Sequence, residues 1–455
     1  MCALLWALRS ESHIPPACTL LQSPASTAFA AWAARRVLSR HRHAHSARPV
    51  PPAYDVACDA GHGHRETPGM PASSPRPRVH LAPATSVSLD LLRFALAMSV
   101  AVGHITQSYF QNTWWDMTHV VVIPVGGFFV LSGYTIRSFS PSDTEFDARS
   151  FFVDRATRLL SVTLLALVAT LALDTYSSTV APGWYNHNWG AQGNHPVLRM
   201  VANVLLLNEV WGHDVSPLSN SPFWSLGYEA GFYAIWGALL FCRRTGRTML
   251  IAVGVALLYG PNVVAMLPFW LAGVLIHDSF ATTPSRRNAI IALAISLAAA
   301  LAIAVSYRTM TPALNRGINA ISLLIGSSRG RIQASLISGC LLFVCLLVAL
   351  FSALALAGPS LRPGARVVAF ARKLGDTTFP LYLLHFPLLV AIGATRQGQP
   401  LSTSQMLIVL AALLVLAFAV VPLARRVKNA MRAIAKHGGT VVAVHGVAGA
   451  DDVVR

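Results

Sequence analysis

The stretch LDLLRFALAMSVAVGH (89–104) decides what kind of protein this is. It is an apolar segment with Arg93 near its start and His104 eleven residues later. A fixed charge at mid-membrane costs about 2.5–3.5 kcal/mol on insertion scales, so a cation there needs a reason. At about 100° per residue, eleven positions is close to three full turns, so both side chains share one helix face. Their axial separation is about 16 Å at 1.5 Å per residue, near half the hydrocarbon thickness of a bilayer.

The rest of the chain has the composition of a membrane protein. Of its 455 residues 54% are hydrophobic and only 12% charged, and the mean hydropathy is +0.54. Soluble domains carry about a quarter charged residues. Apolar runs recur from residue 87 to residue 424, which predicts an all-α, polytopic bundle of about ten transmembrane helices. The spans lie near 87–108, 119–137, 159–176, 222–242, 248–261, 263–277, 288–306, 333–357, 375–395 and 405–424. The fifth and sixth are short and read as a tight pair around Pro261 and Asn262. Residues 198–211 read as a re-entrant or interfacial helix.

Charge placement orients the bundle. Arg76 and Arg78, the group from Arg137 to Arg158, Arg243, Arg244 and Arg247, Arg286 and Arg287, the group from Arg362 to Lys373, and the group from Arg425 to Arg432 all fall on one side. The positive-inside rule makes that side, and both termini, cytoplasmic. The loop 307–332 resists, because it carries Arg308, Arg316, Arg329 and Arg331 yet should face outward. The net charge of +17 is therefore positive-inside charge, and no nucleic-acid partner is expected. The cysteines form no CxxC pair, and Cys242, Cys340 and Cys345 read as packing residues in or beside spans.

Residues 1–80 form a basic tail rich in Ala, Pro, His and Arg, read as disordered rather than as a metal site at His41, His43 and His45. A start at Met70, with the upstream part a gene-model extension, is the other reading. The membrane domain covers 86–425, and 426–455 form a short cytoplasmic tail, too short for a further folded domain.

Four further features sit at membrane depth or beside it. GGFFVLSGYTIRSF (126–139) has Gly126, Gly127, Ser132 and Gly133 for close helix approach. Arg155 and Arg158 are three apart, a pair suited to phosphates but also to ordinary positive-inside charge. Glu229 lies among aromatics in SPFWSLGYEAGFYAIWG (221–237), and a buried carboxylate there is paired, hydrogen-bonded or protonated. Near His104 it would orient the imidazole; near an arginine it would be a structural ion pair. Tyr382 and His385 share a face in GDTTFPLYLLHFPLL (375–389), where Pro380 and Pro387 bend the helix.

Arg93-x10-His104, FFVLSGY (128–134), Arg155-x2-Arg158, WSLGYE (224–229) and FPLYLLH (379–385), in this order, resemble the acyltransferase 3 family over about residues 86–425. The residues after Glu229, AGFY, depart from the family's more polar pattern. The resemblance implies a bacterial inner-membrane O-acetyltransferase that moves an acyl group from acyl-CoA to a hydroxyl of a cell-surface or lipid-linked glycan. It implies His104 and Glu229 as catalytic residues and Arg93, Arg155 and Arg158 as CoA-binding residues. Ser132, Tyr382 and His385 are additional site candidates, and no metal is expected. A small-molecule or lipid acceptor is the alternative within acyl transfer. A proton-coupled transporter is the alternative outside it, since buried Arg, His and Glu suit that role too. In the segment 176–221, Trp184, Tyr185 and Trp189 suit either sugar stacking or an interfacial aromatic belt.

Overall fold

The computed structural model describes residues 82–448 apart from 108–109, 111–116, 118–120, 140–146, 191–193, 246–248, 325–331 and 359–360, without side chains at 243–245 and 437–448. The basic tail 1–80 with its His cluster, and the arginines at 76, 78, 247, 329 and 331, lie outside the described residues.

Among the described residues the chain forms twelve α-helices. They are α1 (Pro83–Ile105), α2 (Ile123–Phe139), α3 (Ala148–Val180), α4 (Pro182–Trp189), α5 (Pro196–Val204) and α6 (Trp224–Thr245). After them come α7 (Leu250–Tyr259), α8 (Pro261–Ser279), α9 (Arg286–Leu324), α10 (Ala334–Ala357), α11 (Ala365–Thr395) and α12 (Thr403–Ala448). Every expected span coincides with one of them. Seven are long and apolar enough to cross a membrane: α1, α3, α8, α9, α10, α11 and α12. The fifth run is the short helix expected of it: the 10 residues of α7 rise only about 15 Å, half the hydrocarbon layer. Gly260, at φ 86°, is the single residue between α7 and α8, and α7 packs mainly against α6 rather than α8.

The loop expected at 307–332 is mostly helix. α9 runs to Leu324, and Asn315 Oδ1 accepts the Ala334 backbone N–H at the start of α10. Its 39 residues span about 58 Å, so Arg308 and Arg316 ride on a helical extension past the hydrocarbon rather than in a connecting loop.

Contacts between helices define two ends of the bundle. α1 and α2 are antiparallel: Arg93 bonds Thr135, and a Cβ added at Gly103 would lie 2.7 Å from Val121. α1 and α11 are parallel, since Gly375 abuts Asp90 and the His385 ring stacks near His104. One end thus gathers Arg93, Arg158, Asp376 and Arg425, and is the basic end. The other gathers His104, His385, Phe110 and Leu401, and is the imidazole end. α11 is the central helix, with 83% of its apolar window buried, against 17% for α9 at the periphery. At the basic end α3, α11 and α12 continue ten or more residues past their apolar spans, at least about 15 Å each.

Small residues let α2 lie against both neighbours. A Cβ at Gly133 would collide with the Trp270 carbonyl of α8, and one at Gly273 with the Val130 carbonyl of α2. Gly126 and Gly339 make the same kind of crossing between α2 and α10. The packing role expected of the GGFFVLSG stretch is present. Gly133→Leu forces these backbones apart and is expected to destabilise by about 1–3 kcal/mol or more, read as a lower melting temperature of the purified protein. An unchanged midpoint would contradict this crossing.

The segment after α5 is packed, not helical to 211. Four non-glycine residues there adopt positive φ: Leu206 (55°), Trp211 (55°), Asp214 (48°) and Leu218 (53°). Such backbone persists only where the surroundings over-determine it. Here Asp174 of α3 accepts the Ser219 N–H at 2.8 Å and the Ser219 hydroxyl at 2.6 Å. Asn220 Nδ2 donates to Thr170 and to the Leu383 carbonyl, both at 2.9 Å. Tyr185 and Trp189 are buried in the core of the imidazole end, and Trp184 packs against that core. These rings are filled space rather than an open sugar platform. Burial and the Asp174 carboxylate push the Tyr185 hydroxyl pKa up.

Candidate active site

A cavity of about 400 Å³ opens at the basic end. Arg93, Ser132, Arg158, Glu229, Tyr382 and Lys428 line it, from six helices. Arg93 pairs with Asp90 at 3.5 Å, one helical turn earlier, and donates to Thr135 Oγ1. Ser132 is a crowded hydroxyl: it donates to Glu229 Oε1 at 3.2 Å, accepts from Trp270 Nε1 at 3.2 Å and meets Tyr233 Oη at 3.2 Å. Tyr233 also donates to Glu229 Oε1. The arginine pair divides: Arg158 lines the cavity, while Arg155 turns aside to Asp154 at 2.6 Å and lies 5.9 Å from the Phe151 ring.

The cavity ends at Phe128 and Tyr382, whose rings meet edge to face at 5.7 Å. Tyr382 is fixed by the Pro222 carbonyl at 3.1 Å and by Ser225 at 2.8 Å. Behind it lies His385, 6.1 Å ring to ring, and His104 follows at 5.1 Å from His385. His104 Nδ1 meets Gln107 Oε1 at 3.2 Å. With that oxygen accepting, Nδ1 carries the proton and Nε2 is the basic nitrogen. His385 is fully buried, and its Nδ1 meets the Leu381 carbonyl at 3.1 Å. A carbonyl only accepts, so Nδ1 is protonated there too, and the neutral ring leaves Nε2 a lone pair with no hydrogen-bond partner.

The sequence-expected residues thus fall into two groups. Arg93, Arg158, Ser132 and Glu229 meet in the cavity, His104 and His385 meet at the opposite end, and Tyr382 stands between them. Of the two settings open to Glu229, it does not have the one beside His104: it bonds Ser132, whereas the chain leading into α2 meets the His104 level at Val121, eleven residues before Ser132. His385 and Gln107 are the neighbours of His104 instead. Asp90, Tyr233 and Lys428 also belong to the cavity. Asp90 was legible as the i,i+3 partner of a buried arginine; Lys428 was hidden in a run of positive-inside charge. Among the described residues no group of three or more His, Cys, Asp or Glu is arranged to hold a metal ion.

A family model described as an acyltransferase domain matches residues 86–425. The chain belongs to the acyltransferase 3 family. As a member of that family with seven helices able to cross a bilayer, it is a multi-pass membrane acyltransferase. No curated protein and no solved structure matches the chain. The family match begins three residues before α1's first leucine and closes at Arg425, so it takes in the imidazole pair of this acyltransferase and all of the cavity lining except Lys428.

Proposed function

We propose that this acyltransferase moves an acetyl group from acetyl-CoA to a hydroxyl of a cell-surface or lipid-linked glycan, in the bacterial cytoplasmic membrane. The observation that carries the reading is a cationic cavity and an imidazole pair on the same face of α1, joined through Tyr382. Arg93 and Arg158 hold phosphate at the basic end, taken as cytoplasmic, where acyl-CoA is found. The thioester arm passes Phe128 and Tyr382 towards His104, a passage that requires these two rings to part. His104 Nε2 takes the proton of the acceptor hydroxyl as its oxygen attacks the thioester carbon. The new C–O bond forms as the C–S bond breaks, and the departing thiolate takes the proton back from the imidazolium. Apolar packing around the pair excludes water and so favours transfer over hydrolysis. Ser132 and Tyr233 fix Glu229, which balances the charge of the arginines beside it.

The test is the purified protein in nanodiscs with acetyl-CoA and an extract of the cell's glycans. Release of free CoA with acetate ester appearing on glycan supports the reading. Movement of labelled glycan across liposomes without acetyl-CoA consumption would instead make the protein a transporter. Comparison of surface polysaccharide by NMR with and without the gene identifies the acceptor.

Arg93→Lys keeps the charge but loses the planar fork that meets Thr135 and Asp90. It is expected to raise the KM for acetyl-CoA about tenfold, one charge-assisted bond's worth, with kcat little changed. An unaltered KM would make Arg93 an anchor only.

A further inference from the structure

We infer that the last helix, α12, completes a phosphate site with the start of α3, in which Lys428 joins Arg158 to grip the phosphorylated nucleotide end of the donor, with the charge of Arg155 beside them. The inference rests on the acyl-CoA reading above and deepens it.

The carboxylates at the basic end are already engaged. Asp90 pairs with Arg93 at 3.5 Å and Asp376 with Arg425. Asp154 pairs with Arg155 at 2.6 Å and also with Arg432. Glu229 is held by Ser132 and Tyr233. Among the described residues neither Arg158 nor Lys428 forms an ion pair, yet both line the cavity. Lys428 lies within electrostatic range of Arg155, Arg158 and Arg432, with Asp154 as the carboxylate in that set. Arg155 adds buried charge behind them without lining the cavity: its Nε and Nη1 have no hydrogen-bond partner, on a side chain only 12% exposed.

Four cations around one carboxylate repel one another strongly where water is scarce. A bound phosphate relieves that repulsion and supplies acceptor oxygens for Arg158 and Lys428, which line the cavity. The chemistry of the set fits the task, with a planar fork from α3 and a compact ammonium from α12. CoA presents a 3′-phosphate and a diphosphate, so it has anionic groups enough for this cluster and for Arg93. The two contributing helices stand near the two ends of the membrane domain, at residues 155–158 and 428. No short motif could announce the site.

The experiment uses the full chain in nanodiscs and compares wild type with Lys428→Ala, Lys428→Arg and Arg426→Ala. Arg426 is exposed and lies outside the cavity lining, so it controls for surface charge. Binding of CoA is followed by calorimetry, and turnover with both acetyl-CoA and S-acetylpantetheine, which lacks the nucleotide. Lys428→Ala is expected to weaken CoA binding and raise the KM for acetyl-CoA, each about tenfold, with kcat kept. It should leave S-acetylpantetheine kinetics unchanged, Lys428→Arg should restore most of the loss, and Arg426→Ala should match wild type. Unchanged CoA affinity in Lys428→Ala overturns the inference. So does an equal loss with S-acetylpantetheine, or no CoA binding by wild type. Anionic lipid that displaces CoA from wild type but has no purchase on Lys428→Ala reassigns the site to headgroups and overturns it too. If CoA binds through Lys428 but acetyl-CoA is not consumed, the phosphate site stands and acyl transfer falls. If wild type and Lys428→Ala consume acetyl-CoA with the same KM, the reverse holds.

Discussion

Replacing His104 with alanine is expected to lower acyl transfer by about 10²–10⁴-fold, the usual worth of a positioned general base. CoA binding should persist, because the cavity proposed for the donor lies about 16 Å along α1 from this residue and its lining does not include it. Separating the two effects is the purpose of the measurement: calorimetry for CoA, product formation for the acetyl ester, both on protein that purifies in normal yield. Retained turnover would remove His104 from the chemistry. His385→Asn gives the companion result. The ring of His385 is buried and its Nδ1 already donates to Leu381, so asparagine preserves that donor and deletes the basic nitrogen. A shift of the acidic limb of the pH–rate profile in this variant, with CoA affinity constant, marks His385 as tuning His104. A simple loss of yield marks it as packing.

The largest structural effect is expected at Asp174. Its side chain is 2% exposed and takes three donors: the Ser219 N–H, the Ser219 hydroxyl and the Tyr185 hydroxyl. Each buried donor left unmatched costs about 1–3 kcal/mol. Asp174→Ala should therefore cost about 3 kcal/mol or more on the same basis. It should release the strained segment 205–221 from α3 and lower the melting temperature by many degrees. Asp174→Asn keeps an acceptor oxygen and should lose less. Equal melting temperatures for wild type and alanine would show that the segment is held by its apolar contacts alone. Activity should fall with Asp174→Ala as well, since Pro222 and Ser225, just beyond this segment, fix Tyr382.

Periodicity made much of this legible in advance. The shared face of Arg93 and His104 follows from eleven residues at 3.6 per turn, and the structure places each against a different part of the site on that face. The glycines of 126–133 announced close crossings, because a missing side chain has few other uses inside a bilayer. The hydropathy of each run located its helix. Relative shifts between helices were not legible. Glu229 and His104 are both polar groups at membrane depth, and nothing local to either records that one sits by Ser132 and the other by His385. Helix ends were hidden for a similar reason. Hydropathy falls at 306, but backbone bonding does not, so α9 continues through Arg308 and Arg316. Asp174 is a lone carboxylate in ATLALDTYSST (169–179, in α3), and an ionisable residue in a span is a signal by itself. The left-handed residues of 205–221 had no signal at all, being leucine, tryptophan and aspartate where glycine would have been the clue.

The helical overhang at the basic end has a consequence for how far charge must travel. Bringing a multivalent anion into a medium of low dielectric costs many kcal/mol. With α3, α11 and α12 standing at least about 15 Å proud of their apolar spans, phosphates can stay in the aqueous layer while an uncharged arm alone goes inward. The distance that arm must cover is then set by α1, a rigid rod with Arg93 and His104 as its marks. It acts as a ruler, so the reach of the donor should be the same in thin and thick membranes, whatever the depth at which the lipids begin.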